Sequence, residues 1–210
     1  LGNSLKQLSS VGISPKSYNN KYGVPLSLFN LDQKNNYGVL EIGMDKKGEI
    51  DYLSKIVKPD VSVITNINYA HAKNFKNIKQ IALAKSEIIN NTKINGFIVL
   101  NADDNFYTLH KKIANKRKLN ILSFGIDNQN ANIKLISIKK IANKFKATIS
   151  INNLKTYFFI SNNFQNNILN ILATLSVMSI FIDISKLKKN IFLSFKIPNG
   201  RGDIAKIKID

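Results

Sequence analysis

Three side chains in the first half of the chain have the type and position for cation or phosphoryl chemistry. Glu41 sits between Leu40 and Ile42 in the apolar run GVLEIG. A carboxylate within an apolar strand is costly unless it is paired or coordinates a metal; the alternative is an edge strand whose outward face carries it. His71 closes TNINYAH, the loop after the run VSVITNI. Open parallel sheets bind ligands at the carboxyl ends of their strands, so the address suits a ligand. A lone histidine is otherwise a satisfied core or surface residue, and His110, in a basic helical stretch, is placed in that class. Lys85 lies in IKQIALAKSEIINN, where Ile78, Ile81, Ala82, Ile88 and Ile89 form an apolar stripe. Spacings of three and four put Lys85 on the same stripe, pointing inward. Burial disfavours the ammonium and lowers its pKa from about 10.4, which makes a neutral, nucleophilic amine available. The competing reading is a lysine at the edge of the stripe that snorkels to solvent.

A fourth pattern fails. GMDKKGE, residues 43–49, has the glycine spacing of a phosphate loop, but Glu49 and Ile50 stand where Lys and Ser or Thr are required. A carboxylate there repels phosphate, so the segment reads as a turn into a helix beginning at Glu49.

The elements that must position these residues follow from apolar periodicity. Short β-rich runs at 37–42, 61–67, 96–101 and 120–124 alternate with helical spacing at 48–57, 78–91 and 105–114, plus an earlier helix opened by Pro25. Such alternation predicts an α/β fold: a mainly parallel sheet, with the four strands together, flanked by helices. From 132 to 160 the period changes to two, which predicts an antiparallel meander beside that sheet. Helices are expected over 166–181 and 184–195, before Pro198 and Gly200 interrupt. Leu1, Leu5 and Leu8 have helical spacing with no cap ahead of them, and 204–209 reads as a strand.

The net charge of +18 raises nucleic-acid binding as a function. Of the 31 basic residues 29 are lysine, and only Arg117 and Arg201 carry the guanidinium fork that phosphate and base readers favour. With 30 asparagines and 32 isoleucines alongside, the lysine excess reads as the compositional drift of an AT-rich genome. The charge is also uneven, net +4 over residues 1–105 and net +14 over 106–210, so hard oxygen ligands for a cation must come from the first half. The most apolar stretch, 168–184, is interrupted by Asn170, Thr174, Ser176 and Ser179, which excludes a membrane-spanning helix there. With no signal-peptide pattern at residue 1 and no cysteine, a cytoplasmic setting is expected.

Seven motifs occur in order: NNKYGVPLSL (19–28), VLEIGMDKKGEI (39–50), VKPDVSVITNINYAH (57–71), IALAKSEI (81–88), VLNADD (99–104), NNILNILAT (166–174) and PNGRG (198–202). Together they resemble the central, ATP-binding domain of the Mur ligase family, over almost the whole chain, and most closely its branch that adds D-alanyl-D-alanine to UDP-MurNAc-tripeptide.

The resemblance implies a P-loop-NTPase-like α/β domain that uses ATP and Mg2+ in an ATP-dependent amide ligase of peptidoglycan precursor synthesis. It implies that Glu41 and His71 ligate magnesium and that Lys85 is carbamylated by carbon dioxide, its carbamate supplying further oxygens. Asn167 and Asn170 match asparagines near the adenine, and Arg201 an arginine that reaches the nucleotide. Asn19 and Asn20 match a pair close to the phosphates and substrate; Asn101, Asp103 and Asp104 match an element near the nucleotide. The family's phosphate loop would lie just upstream of Leu1, and its substrate-binding N- and C-terminal domains would lie outside residues 1–210, so the isolated chain is expected to be inactive and monomeric. Phe164 and Asn166 replace a glycine and a histidine of the pattern, and Lys16 and Ser17 a glycine and an asparagine, which touches nucleotide contacts and not Glu41, His71 or Lys85. Alternatives are another Mur-type or a folylpolyglutamate-synthase-like ligase and, in a different class, a basic nucleic-acid-binding module; the scarcity of arginine argues for no nucleic acid.

Overall fold

The computed structural model describes residues 1–15, 18–69, 74–161 and 167–194. In chain order the elements are α1 (Gly2–Lys6), β1 (Val11–Ile13), α2 (Gly23–Phe29), β2 (Tyr37–Val39), α3 (Glu49–Val57), β3 (Val61–Ile64), α4 (Ile78–Lys85), α5 (Glu87–Asn91), β4 (Phe97–Asn101), α6 (Tyr107–Lys116), β5 (Asn120–Gly125), β6 (Ile133–Ile141), β7 (Lys144–Ile151), β8 (Leu154–Ser161) and α7 (Ile168–Phe181).

A six-stranded sheet runs in the order β3-β4-β5-β6-β7-β8. Its β3, β4 and β5 are parallel, β6 joins β5 in parallel through Phe124 and Gly125 only, and β6, β7 and β8 form an antiparallel meander. The fold is therefore the expected α/β one, with the meander continuing the parallel sheet. β4 shows why its sequence is apolar throughout. Ile98 and Leu100 point into a core formed with α3, α4, α5 and α6, while Val99 between them points into a second core beneath α7 and the meander. A strand covered on both faces cannot alternate apolar with polar. α7 likewise buries nearly every residue from Ile171 to Met178, so it has no polar face to offer solvent.

Two expectations are corrected. The strand predicted at 37–42 stops at Val39 and does not join the other three; it pairs in parallel with β1, a short strand that periodicity missed, in a separate two-stranded sheet. Gly12 and Gly38 face each other in that pair, and a Cβ on either would collide with Leu31. So glycine-weakened strands are held by close packing, which apolar periodicity does not register. The helix predicted over 184–195 is a single 3-10 turn, Ile184–Lys186. Ile184, Leu187, Ile191 and Phe192 are buried at helical spacing, yet the backbone runs in successive tight turns that touch β8 at two points: Phe159 N–H donates to the Lys189 carbonyl at 2.8 Å, and Phe192 bridges to Ile160. Lys186 N–H bonds to Asp183, Leu187 to Ile184, Ile191 to Lys188 and Leu193 to Asn190, so turn bonds stand where the helical ladder was expected.

The predicted 78–91 helix is broken by a turn at Ser86 into α4 and α5, and Pro25 falls in the third position of α2, not the first. The strand expected at 204–209 lies outside the described residues.

Phe158 is fully buried and meets Phe192 edge-on, with ring centroids 5.5 Å apart. Phe158→Ala is expected to lower stability by about 3–5 kcal/mol, as core Phe→Ala changes do. Urea unfolding should show a lower midpoint with an unchanged slope.

Candidate active site

The sequence-predicted residues within the described segments lie at or beside the carboxyl ends of parallel strands or at a helix start. Beyond β1, Ser14 donates its backbone N–H to the Val39 carbonyl, and its Oγ accepts from Glu41 N–H at 3.1 Å. Glu41 is thus exposed in the turn just past β2, neither inside an apolar strand nor on the face of an edge strand. Its Oε1 accepts from Asn19 Nδ2 at 3.0 Å, while Gly43 N–H donates to the Asn19 carbonyl at 2.7 Å. A Cβ at Gly43 would lie 2.9 Å from Asn19 Cγ, so a larger residue there would displace the Asn19 side chain from its place beside Glu41. Asn20 faces the other way, its Oδ1 accepting from the Tyr22 and Gly23 amides and starting α2.

The turn at 43–49 behaves as its charge required. Glu49 Oε2 accepts from Asp45 N–H at 2.6 Å and Lys46 N–H at 3.1 Å, which holds its carboxyl below the usual range. The amides that a phosphate loop would present are occupied by a side chain of the same chain. Gly48, in a left-handed conformation at φ 91°, donates to the Glu87 carboxylate, which also accepts from Asp51 N–H. Glu87 therefore fastens α5, and with it the end of α4, to the start of α3. Sequence reasoning missed that role, although AKSEI places Glu87 two residues from Lys85.

Lys85 ends α4, half-buried, with Nζ 3.4 Å from the Asn66 carbonyl in the loop after β3. Burial pushes its ammonium down from the ordinary lysine value, and the carboxylate of Asp104 opposes that shift. Asp104 Oδ2 accepts from Ile67 N–H and Oδ1 from Phe106 N–H, each at 2.8 Å. The neighbouring carboxylate of Asp103 accepts from Ile126, Asp127 and Asn128 in the loop after β5, and Asn101 Oδ1 accepts from Asp103 N–H. Asn167 starts α7 and its Oδ1 accepts from Asn170 Nδ2 at 3.1 Å. His71 and Arg201 lie outside the described residues. Among the described residues, no cluster of three or more His, Asp or Glu could hold a metal ion.

His110 is buried at 2% exposure within α6, and its Nε2–H donates to the Ala82 carbonyl at 3.1 Å, the satisfied core histidine expected. The meander carries lysines with no acidic residue among them. From 128 to 182 there is no carboxylate, Lys139 stands opposite Lys146, and Lys144 and Lys146 lie 3.8 and 4.3 Å from the ring centroids of Phe159 and Tyr157. The protein's own ammoniums cover those rings.

An α/β domain of this kind takes its ligands at the carboxyl ends of the parallel strands, where Asn101, Asp103 and Asp104 stand and near whose loops Lys85 lies. A family model, the Mur ligase middle domain, matches residues 1–178. The chain belongs to the Mur ligase family, whose members are ATP-dependent ligases. A UDP-N-acetylmuramoyl-tripeptide–D-alanyl-D-alanine ligase of Rickettsia prowazekii is 32% identical over 196 residues, 91% of this chain and 43% of that protein. The ligase of the same description from the Buchnera aphidicola of Acyrthosiphon pisum is 38% identical over 135 residues, 63% of this chain and 27% of its own. A crystal structure of MurF ligase from Thermotoga maritima in complex with ADP superposes with a TM-score of 0.81 at 30% identity, over 98% of this chain and 47% of that one. The chain thus spans less than half the length of these relatives. Among the described residues no helix is long and apolar enough to cross a membrane.

Burial depresses the pKa of His110 below its unfolded value near 6.5. Below that pH the unfolded chain binds a proton that the folded chain refuses, so stability is full above about pH 7 and falls as pH drops toward 5. Denaturant midpoints measured from pH 5 to 8 should show this slope, and His110→Gln, which keeps a donor for the Ala82 carbonyl, should flatten it.

Proposed function

We propose that this chain is the ATP-binding domain of a ligase that joins D-alanyl-D-alanine to UDP-N-acetylmuramoyl-tripeptide, acting in the cytoplasm. The observation that carries the reading is the half-buried amine of Lys85, drawn toward its neutral form beside the strand-end loops, in a chain of this family. A neutral amine attacks the carbon of carbon dioxide, forming an N–C bond and releasing one proton to water. The carbamate left is an anion where burial opposed a cation. The relatives carrying the D-alanyl-D-alanine ligase description support this branch over another Mur-type ligase.

The donor set fits a magnesium ion: Glu41 is exposed at the strand end with its carboxylate held by Asn19, and a Lys85 carbamate adds hard oxygens. Glu41, His71 and that carbamate would hold it. When bound, the ion neutralises charge on the phosphoryl group in transfer. The domain's own residues do the rest. On this reading Asn19 and Asn20 stand close to the phosphates and substrate, Asn167 and Asn170 near the adenine, Arg201 reaches the nucleotide, and Asn101, Asp103 and Asp104 stand near it. In the overall reaction the substrate carboxylate attacks the γ-phosphorus and ADP leaves. The dipeptide amine then attacks the acyl carbon, phosphate leaves, and the amine gives up a proton to form the amide.

In the whole protein, Lys85→Ala is expected to cut turnover by about a hundred- to a thousandfold, the scale of losing a principal charge-stabilising group. Lys85→Arg should not restore it, because the guanidinium keeps a positive charge where an anion is needed. Phosphate release with UDP-MurNAc-tripeptide, D-alanyl-D-alanine, ATP and magnesium reads both; a fully active Lys85→Arg enzyme removes the carbamate from the mechanism.

A further inference from the structure

Asp103 and Asp104 are consecutive at the carboxyl end of β4, yet they serve opposite neighbours. Asp103 takes the amides of 126–128 after β5, and Asp104 takes the Ile67 amide after β3. Two of Asp104's bonds belong to the local turn ahead of α6: Phe106 N–H to Oδ1, and Tyr107 N–H to its carbonyl. The bond from Ile67 is different in kind, since it joins residues 37 apart in sequence and plays no part in capping α6.

Ile67 N–H belongs to the same peptide unit as the Asn66 carbonyl, the group 3.4 Å from Lys85 Nζ. A peptide unit is planar, and in the trans form its N–H and C=O point in opposite directions. Fixing the N–H on Asp104 therefore aims the C=O at Lys85. A flip of this plane would turn the carbonyl oxygen toward a carboxylate and an N–H toward an amine, losing both bonds and adding a repulsion.

We infer that Asp104 is a positioning residue for Lys85, acting through the Asn66–Ile67 peptide plane. The inference rests on the carbamate reading above and adds to it a device for orienting the modified side chain. A carbamate retains one N–H on Nζ. The Asn66 carbonyl accepts that hydrogen, which sets the rotation of the planar carbamate and leaves both its oxygens directed elsewhere. Asp103, the adjacent carboxylate, has no such connection and serves as the internal control for carbamate formation.

The test uses the whole ligase with Asp104→Asn and Asp103→Asn. Asparagine keeps the size of Asp104 but puts an NH2, which cannot accept, in place of one of the two oxygens that separately hold Ile67 and Phe106. Hydrogen exchange over 61–69 should accelerate about ten- to a hundredfold in Asp104→Asn, the scale of a lost bond to a charged group. The 13C signal of the Lys85 carbamate under labelled carbon dioxide should weaken, and kcat should fall by about tenfold or more with KM for ATP unchanged. Asp103→Asn should accelerate exchange over 126–128 while leaving exchange over 61–69 and the carbamate signal in place. Faster exchange over 61–69 with carbamate and kcat intact would overturn the inference, as would losses in both variants that merely follow their melting temperatures. A wild-type enzyme with no carbamate signal would instead overturn the carbamate reading, and this inference with it.

Discussion

Loops that leave the carboxyl ends of a parallel sheet run out of ladder partners, and their backbone amides must find acceptors elsewhere or be left to water. In this chain short side-chain oxygens take that part at nearly every strand end: Ser14 for Glu41, Asn20 for α2, Asp104 for Ile67, and Asp103 for three amides in succession. The candidate site is what these oxygens hold in place. Because β3, β4 and β5 are parallel and adjacent, the loops after β3 and β5 flank the one after β4, so a pair of carboxylates at the end of the middle strand reaches both. An antiparallel middle strand would send that loop to the other edge.

Electrostatics around Lys85 follow from the same arrangement. Half-burial works against its ammonium, Asp104 works for it, and His110, buried on the far side of Ala82, stays neutral under burial and adds no cation of its own. The amine is thus drawn toward the uncharged form without being cut off from the loops that a substrate would approach. Glu87, two residues on, anchors this corner to the start of α3 through Gly48 and Asp51, so α4 cannot shift without pulling on the turn that follows Glu41.

Part of the large positive charge lies on the meander. Lys134, Lys139, Lys140, Lys144, Lys146 and Lys155 fall in the stretch between Asp127 and Asp183, which has no acidic residue, and Lys144 and Lys146 rest their ammoniums on Phe159 and Tyr157. Cation–π contact at such exposed sites is worth about 0.5–1 kcal/mol each, enough to offset part of the repulsion among like charges set opposite one another. This accounts for how a lysine-rich composition is tolerated there.

Composition and pattern alone determined the α/β alternation, the meander, the place of Lys85 on the apolar stripe of its helix, the failure of 43–49 as a phosphate loop and the confinement of most carboxylates to the first half. Each is a local property: a period, a steric requirement, a charge at a fixed spacing. Tertiary structure alone decided that β2 pairs with β1 rather than with the other three strands, and that 184–192 forms separate turns against β8 instead of one helix. It also decided which amides Asp103 and Asp104 would hold. Those outcomes depend on which backbone groups remain unsatisfied after the sheet has formed, and no window of sequence contains that information. NADD in the sequence is two acids side by side; only the order of β3, β4 and β5 makes them face opposite ways, one toward the loop that meets Lys85 and one away from it.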